Sequence, residues 1–155
     1  TDTAVNILLV DDHPENLLAL ESVLESLGQN LIKVSSGRDA LKEVLKEDFA
    51  VILMDVQMPE MDGFEAATLI RARPRSQHTP IVFLTAFNKS ELSVSTGYSV
   101  GAVDYVFKPF QPEILRAKVS AFVELSRKTK ELEREVERRR AAEEEVLRLN
   151  EDLER

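Results

Sequence analysis

Four groups of polar residues stand at the ends of four short apolar runs, and no other feature constrains the fold as tightly. Asp11 and Asp12 follow VNILLV, Asp55 follows AVILM, Thr85 follows PIVFL and Lys108 follows VDYVF. Each run is rich in Val, Ile, Leu and Phe and gives way at once to polar or turn residues, the pattern of a strand buried on both faces of a parallel sheet. Ligands of such sheets bind outside the carboxyl ends of the strands. Three acids, a hydroxyl and an ammonium are therefore expected at one edge, as a site for a divalent cation and a phosphoryl group.

The runs belong to a regular alternation. Strands are expected at 5–10, 31–35, 50–54, 80–84 and 103–107, and helices at 14–27, 38–47, 63–72 and 89–99. Pro14 suits the start of the first helix and Gly28 its end, while Asp62–Gly63 opens the third. Short βα connections imply a parallel sheet with helices on both faces. The segment 89–99 is rich in Ser, Thr and Gly, poor helix formers, and reads as a marginal element.

After Pro112 neither Pro nor Gly occurs again, which permits about 45 residues of continuous helix, roughly 65 Å at 1.5 Å per residue. With Phe122 at position a, the a and d positions hold Phe122, Leu125, Thr129, Leu132, Val136, Arg139, Glu143, Val146, Asn150 and Leu153. The apolar majority suggests a coiled coil, weakened by Arg139 and Glu143, with Asn150 favouring a parallel two-stranded register. The competing reading is a solitary helix held by i,i+4 ion pairs. Two parts are expected, a domain over 1–124 and a helical linker over 125–155. The chain stops inside a charged helical pattern, so it reads as a fragment of a longer protein.

Charge and composition exclude several classes. A net charge of −8 argues against a nucleic-acid or anionic-membrane binder. The chain has no cysteine, hence neither disulfides nor thiolate metal sites. No apolar stretch approaches the roughly 18 residues of a membrane span, and the chain reads as cytoplasmic.

Asp55 is the residue expected to be modified, because a carboxylate can attack phosphorus and yield an acyl phosphate. Asp11 and Asp12 supply oxygen ligands, which favour Mg²⁺ (or Mn²⁺) over zinc. Three carboxylates in one place should raise the pKa of at least one. The Thr85 hydroxyl can donate to a phosphoryl oxygen and the Lys108 ammonium can balance another. Taken singly, Asp11 or Asp12 could cap a helix, Asp55 and Asp62 could form turns, and Lys108 could be a surface lysine. Their joint placement at successive strand ends is what points to a site. His13 and His78 read as exposed loop residues rather than ligands, and Phe107 and Phe110 as core.

The motifs LLVDDHPEN, LMDVQMPEMDGFE, LTA and FKPF, in this order, resemble the receiver domain of two-component response regulators over residues 5–124. The resemblance implies a flavodoxin-like α/β fold, a five-stranded parallel sheet of order 2-1-3-4-5 with five helices, the last extended into the tail. It implies phosphorylation of Asp55 by a histidine kinase or phosphotransfer protein. Mg²⁺ would be held by Asp12, Asp55 and the main-chain carbonyl of Gln57, with Asp11 acting through water. It further implies a switch in which Thr85 moves toward the phosphoryl group and Tyr105 turns inward, beside a Lys108–Pro109 bond that is commonly cis. Gln57 could orient a hydrolytic water and Phe87 could shield the acyl phosphate. The tail is similar to linkers that join receivers to output modules, and a parallel homodimer is expected through it. Such a module is no enzyme beyond self-phosphorylation and self-dephosphorylation.

Two other readings compete. One is a docking or dimerisation module that works without phosphorylation. The other is a Mg²⁺-dependent aspartyl-phosphate phosphatase, which wants a second acid two residues after the nucleophile, where this chain has Gln57.

Overall fold

The computed structural model describes residues 4–86 and 104–154. The chain divides into two units, Thr1–Val123 and Glu124–Arg155. In the first, β1 (Asn6–Val10), β2 (Asn30–Val34), β3 (Val51–Asp55), β4 (Ile81–Thr85) and β5 (Asp104–Phe107) form one parallel sheet of order β2-β1-β3-β4-β5. The helices are α1 (Pro14–Leu24), α2 (Gly37–Lys46), α3 (Gly63–Arg71) and α4 (Pro112–Glu154). This is the flavodoxin-like architecture, with four α-helices among the described residues. The expected helix at 89–99, and Phe87, lie outside them.

Alternation along the strands divides the core into two layers. Leu8, Val10, Ile52, Met54, Phe83 and Tyr105 face Ala40 and Val44 of α2 and Ala66, Ala67 and Ile70 of α3. Ile7, Leu9, Val51, Leu53, Val82 and Val106 face Leu20 and Leu24 of α1 and Leu115, Val119 and Val123 of α4. With apolar side chains leaving water on both faces, β1, β3 and β4 have no polar side to spend on solvent.

The helix starts are written in the sequence. Ser36 caps α2 by accepting from Asp39 N at 3.0 Å. Asp62 and Glu65 form a reciprocal capping box on α3. The first helix is shorter than its periodicity suggests: it ends at Leu24, a 3₁₀ turn covers Glu25–Leu27, and Gly28 closes it at φ 71°.

The fifth strand lies at the sheet edge, as the expected order requires, but Phe107 is 38% exposed rather than in the core. Phe107 belongs to the same pleat face as Tyr105, at the strand's last position, and its ring stacks on Tyr105 at 5.9 Å between centroids. Phe110 is partly buried against the α1 side of the core, as expected.

In the second unit, Glu124 onward is helical to Glu154, and Leu125, Leu132, Val136, Val146, Leu149 and Leu153 are exposed. No helix among the described residues is long and apolar enough to cross a membrane.

Candidate functional site

The parallel register carries the ends of β1, β3, β4 and β5 to one edge. Met54 pairs with Val10, Leu84 with Asp55, and Phe107 with Thr85. Asp11 and Asp12 therefore leave β1 beside the last residue of β3, and Lys108 leaves β5 beside the last residue of β4. The Lys108 backbone N–H donates to the Thr85 carbonyl at 2.7 Å, which anchors that turn to β4. The Lys108–Pro109 peptide is cis.

Side chains converge across these turns. Lys108 Nζ lies 3.5 Å from both Asp11 Oδ2 and Asp55 Oδ1, bringing together groups 97 and 53 residues apart. Asp11 is fully buried and Asp55 nearly so. The remaining oxygen of Asp11 accepts from His13 N at 2.9 Å and from Asn16 Nδ2 at 3.4 Å. Asp11 thus serves the turn into α1 with one oxygen and faces the site with the other. Its local, turn-forming role coexists with its place in the cluster.

His13 is exposed, as expected, but it is not apart from the acids. Its Nδ1 lies 3.1 Å from Asp12 Oδ1 and 3.4 Å from Asp11 Oδ1. Asp12 above all, with Asp11 beside it, raises the imidazole pKa above its ordinary value. The signal for this in the sequence was adjacency, since His13 directly follows the acid pair. Asn16 is the other participant the motif reading passed over, placed on the same side by the first turn of α1.

The Asp55 carboxyl is also held above the ordinary carboxylate range. Burial is the main cause, Lys108 opposes it, and Asp11 and then Asp12 add to it. Crowding of carboxylates was expected to raise a pKa here; desolvation exceeds it.

Gly63 fixes the other wall. A Cβ at this first residue of α3 would sit 2.5 Å from the Asp55 carbonyl oxygen and 3.0 Å from Val56 Cα. Its N–H donates to Val56 O at 2.8 Å. The helix is therefore seated directly on the backbone that carries Asp55. Gln57 follows in the exposed part of this loop, and Glu60 adopts φ 67° within it. Tyr105 is buried, its ring tilted against Phe83 at 5.6 Å. Thr85, half-buried, ends β4 at the same edge. A cavity of about 300 Å³ lined by Asp11, Asn16, Leu20, Leu84, Lys108 and Phe110 adjoins the acids.

A family model for the response regulator receiver domain matches residues 7–120. The chain belongs to that family. Among similar receivers of known structure is the chemotaxis protein CheY4 of Vibrio cholerae, with TM-score 0.73 and 32% identity, covering 77% of this chain and 99% of that one. Another is the receiver domain of the sensor histidine kinase PA1611 from Pseudomonas aeruginosa, with TM-score 0.71 and 32% identity over 78% of this chain and 98% of that one. That structure has a magnesium ion coordinated in its active site cleft. A Vibrio cholerae protein named "Probable cyclic di-GMP phosphodiesterase" is 34% identical over 121 residues, 78% of this chain. The chain spans only 27% of that relative's length.

The receiver's acidic cluster suits a hard divalent cation. Asp11, Asp12, Asp55 and His13 offer ligand atoms all within 4.8 Å of one another. Asp12 Oδ1 is screened from solvent and has no hydrogen bond, with His13 Nδ1 3.1 Å away as an ion-pair partner when the imidazole is protonated. A shielded carboxylate oxygen without a donor is costly unless a cation serves it, whether the His13 imidazolium or a metal ion.

Proposed function

We propose that this receiver accepts a phosphoryl group on Asp55 from a phosphohistidine of a histidine kinase or phosphotransfer protein. The observation that carries the reading is the convergence of Lys108 Nζ on both Asp11 and Asp55 at 3.5 Å. An Asp55 oxygen attacks phosphorus, the P–O bond forms as the P–N bond breaks, and the imidazole leaves with a proton drawn from solvent. The product is an acyl phosphate. Asp55 must be ionised to attack, and Lys108 opposes the burial that disfavours that form.

Asp12 and Asp55, with Asp11 through water and the Gln57 carbonyl, would hold Mg²⁺ (or Mn²⁺). When bound it supplies positive charge against the acids and the phosphoryl oxygens. Lys108 balances a further phosphoryl oxygen, and the Thr85 hydroxyl donates to the phosphorylated state. Thr85 and Tyr105 form the switch: the buried Tyr105 ring, packed on Phe83 and Phe107, registers the move of Thr85.

Residues 1–124 would act in the cytoplasm as the phosphoacceptor domain. Residues 125–155 would act as a linker that pairs in parallel with a second copy and passes the change to an output module. The much greater length of the phosphodiesterase-named relative is consistent with such a module. The test is intact mass after incubation with acetyl phosphate and Mg²⁺. Wild type should gain one phosphoryl group, and Asp55→Asn, or wild type with chelator, should gain none. Equal labelling of Asp55→Asn would refute the assignment, and an unlabelled wild type would favour a docking module that works without phosphorylation.

A further inference from the structure

The apolar side chains left exposed beyond Glu124 do not follow one heptad. In the proximal stretch Leu125, Thr129, Leu132 and Val136 recur at spacings of four, three and four. In the distal stretch Ala142, Val146, Leu149 and Leu153 do the same. The two series are separated by six residues, from Val136 to Ala142, where an unbroken heptad steps three and opens the next such series at Arg139. Continuing the proximal phase puts Glu143 and Asn150 in the seam and leaves Leu149 outside it. Continuing the distal phase backward puts Glu135 and Lys128 in the seam and loses Val136. No single phase serves both halves. Two threes in succession, pivoting on Arg139, bring all eight side chains into one seam with Leu147 on its outer side. That is an insertion of three residues into the 3–4 alternation, which locally overwinds a coiled coil.

We infer that residues 125–153 bind a second copy of this chain in parallel through two apolar stripes that change phase at Arg139. This rests on the dimeric linker proposed above and replaces its uninterrupted heptad.

Charge selects the occupant. Residues 124–155 carry eleven acidic and nine basic side chains, so no strongly charged partner is called for. Within the helix, Glu135 pairs with Arg138 and Arg139, and Arg140 with Glu137 and Glu144. In a parallel dimer each g position meets the following e position of the other helix. The proximal phase then sets Lys128 against Glu133 of the second copy and Glu135 against Arg140. The distal phase sets Arg138 against Glu143. All three pairs are attractive. Unshifted, Glu143 would instead face Glu143 in the seam, where like charges repel. Arg139 is the weak layer, with two guanidinium groups at the crossover.

The absence of cysteine makes disulfide mapping direct. In the 155-residue protein, Ala142→Cys and Leu149→Cys should cross-link under mild oxidation several-fold more completely than Glu143→Cys and Asn150→Cys. Deleting residues 139–141 joins the stripes into one continuous heptad and should tighten dimerisation at least tenfold by sedimentation equilibrium. An unbroken heptad predicts the opposite order of cross-linking. A dimer that cross-links best at 143 and 150, or that the deletion weakens, overturns the phase change and leaves the dimeric linker standing. A wild type and deletion variant that both remain monomeric overturn the dimeric linker itself, and the phase change with it.

Discussion

Replacing Gly63 by alanine probes the seating of α3 on the phosphoacceptor strand. The new Cβ would lie 2.5 Å from the Asp55 carbonyl oxygen, about 0.8 Å inside the roughly 3.3 Å at which carbon and carbonyl oxygen meet. Two backbones are in contact there, so no flexible side chain can yield. Either α3 slides away, stretching the Gly63 N to Val56 O bond of 2.8 Å, or the end of β3 moves. Overpacking of this kind costs roughly 1–3 kcal/mol. The gain in helix propensity offsets less than about 1 kcal/mol of it. Urea unfolding should show a lower midpoint with unchanged m, and thermal unfolding should fall by roughly 4 °C per kcal/mol lost in a domain of this size. Labelling by acetyl phosphate, measured where the variant is folded, should slow because Asp55 and its neighbours are displaced. Gly37→Ala is the internal control. Its Cβ would meet Met61 Sδ at 3.0 Å and Cγ at 3.1 Å, atoms of an adaptable side chain, with Ala66 Cβ at 3.3 Å, and should cost less, about 1 kcal/mol. If Gly63→Ala proves no less stable than Gly37→Ala and labels at the wild-type rate, the tight seating is wrong.

Two other outcomes follow from the same geometry. Asp62→Ala removes the cap that accepts from Glu65 N at 2.8 Å and should cost about 1 kcal/mol in urea unfolding; an unchanged midpoint would show that the box contributes nothing. Asp55→Asn should stabilise the metal-free protein at neutral pH. The folded-state pKa of Asp55 is raised, so its stabilising contribution is complete below the unfolded value and disappears as pH rises through the folded one. The variant's advantage should therefore shrink as pH falls into the carboxylate range, and an advantage independent of pH would contradict the burial argument.

Much of the site was legible because its residues mark strand ends. A strand buried on both faces has to be apolar at every position, so the first polar residue after it announces the sheet edge. Asp11, Asp12, Asp55, Thr85 and Lys108 are marked this way as residues of one sheet edge. The same logic failed at Phe107, which reads as core yet is 38% exposed at the last position of an edge strand, because an apolar residue does not say what packs over it. Beyond Glu124 the apolar positions admit one heptad or two phases meeting at Arg139, because periodicity alone does not say which side chains meet a second helix.

The alternation of strand and helix, the capping residues and the acids at the strand ends are local properties, set by periodicity and backbone preference. It takes the packed fold to set Lys108 between Asp11 and Asp55, to turn His13 back onto Asp12 and to leave no room for a side chain at Gly63. Those contacts are made where segments distant in the chain, or turns of unspecified direction, pack together. Packing distance leaves no periodic trace in one dimension.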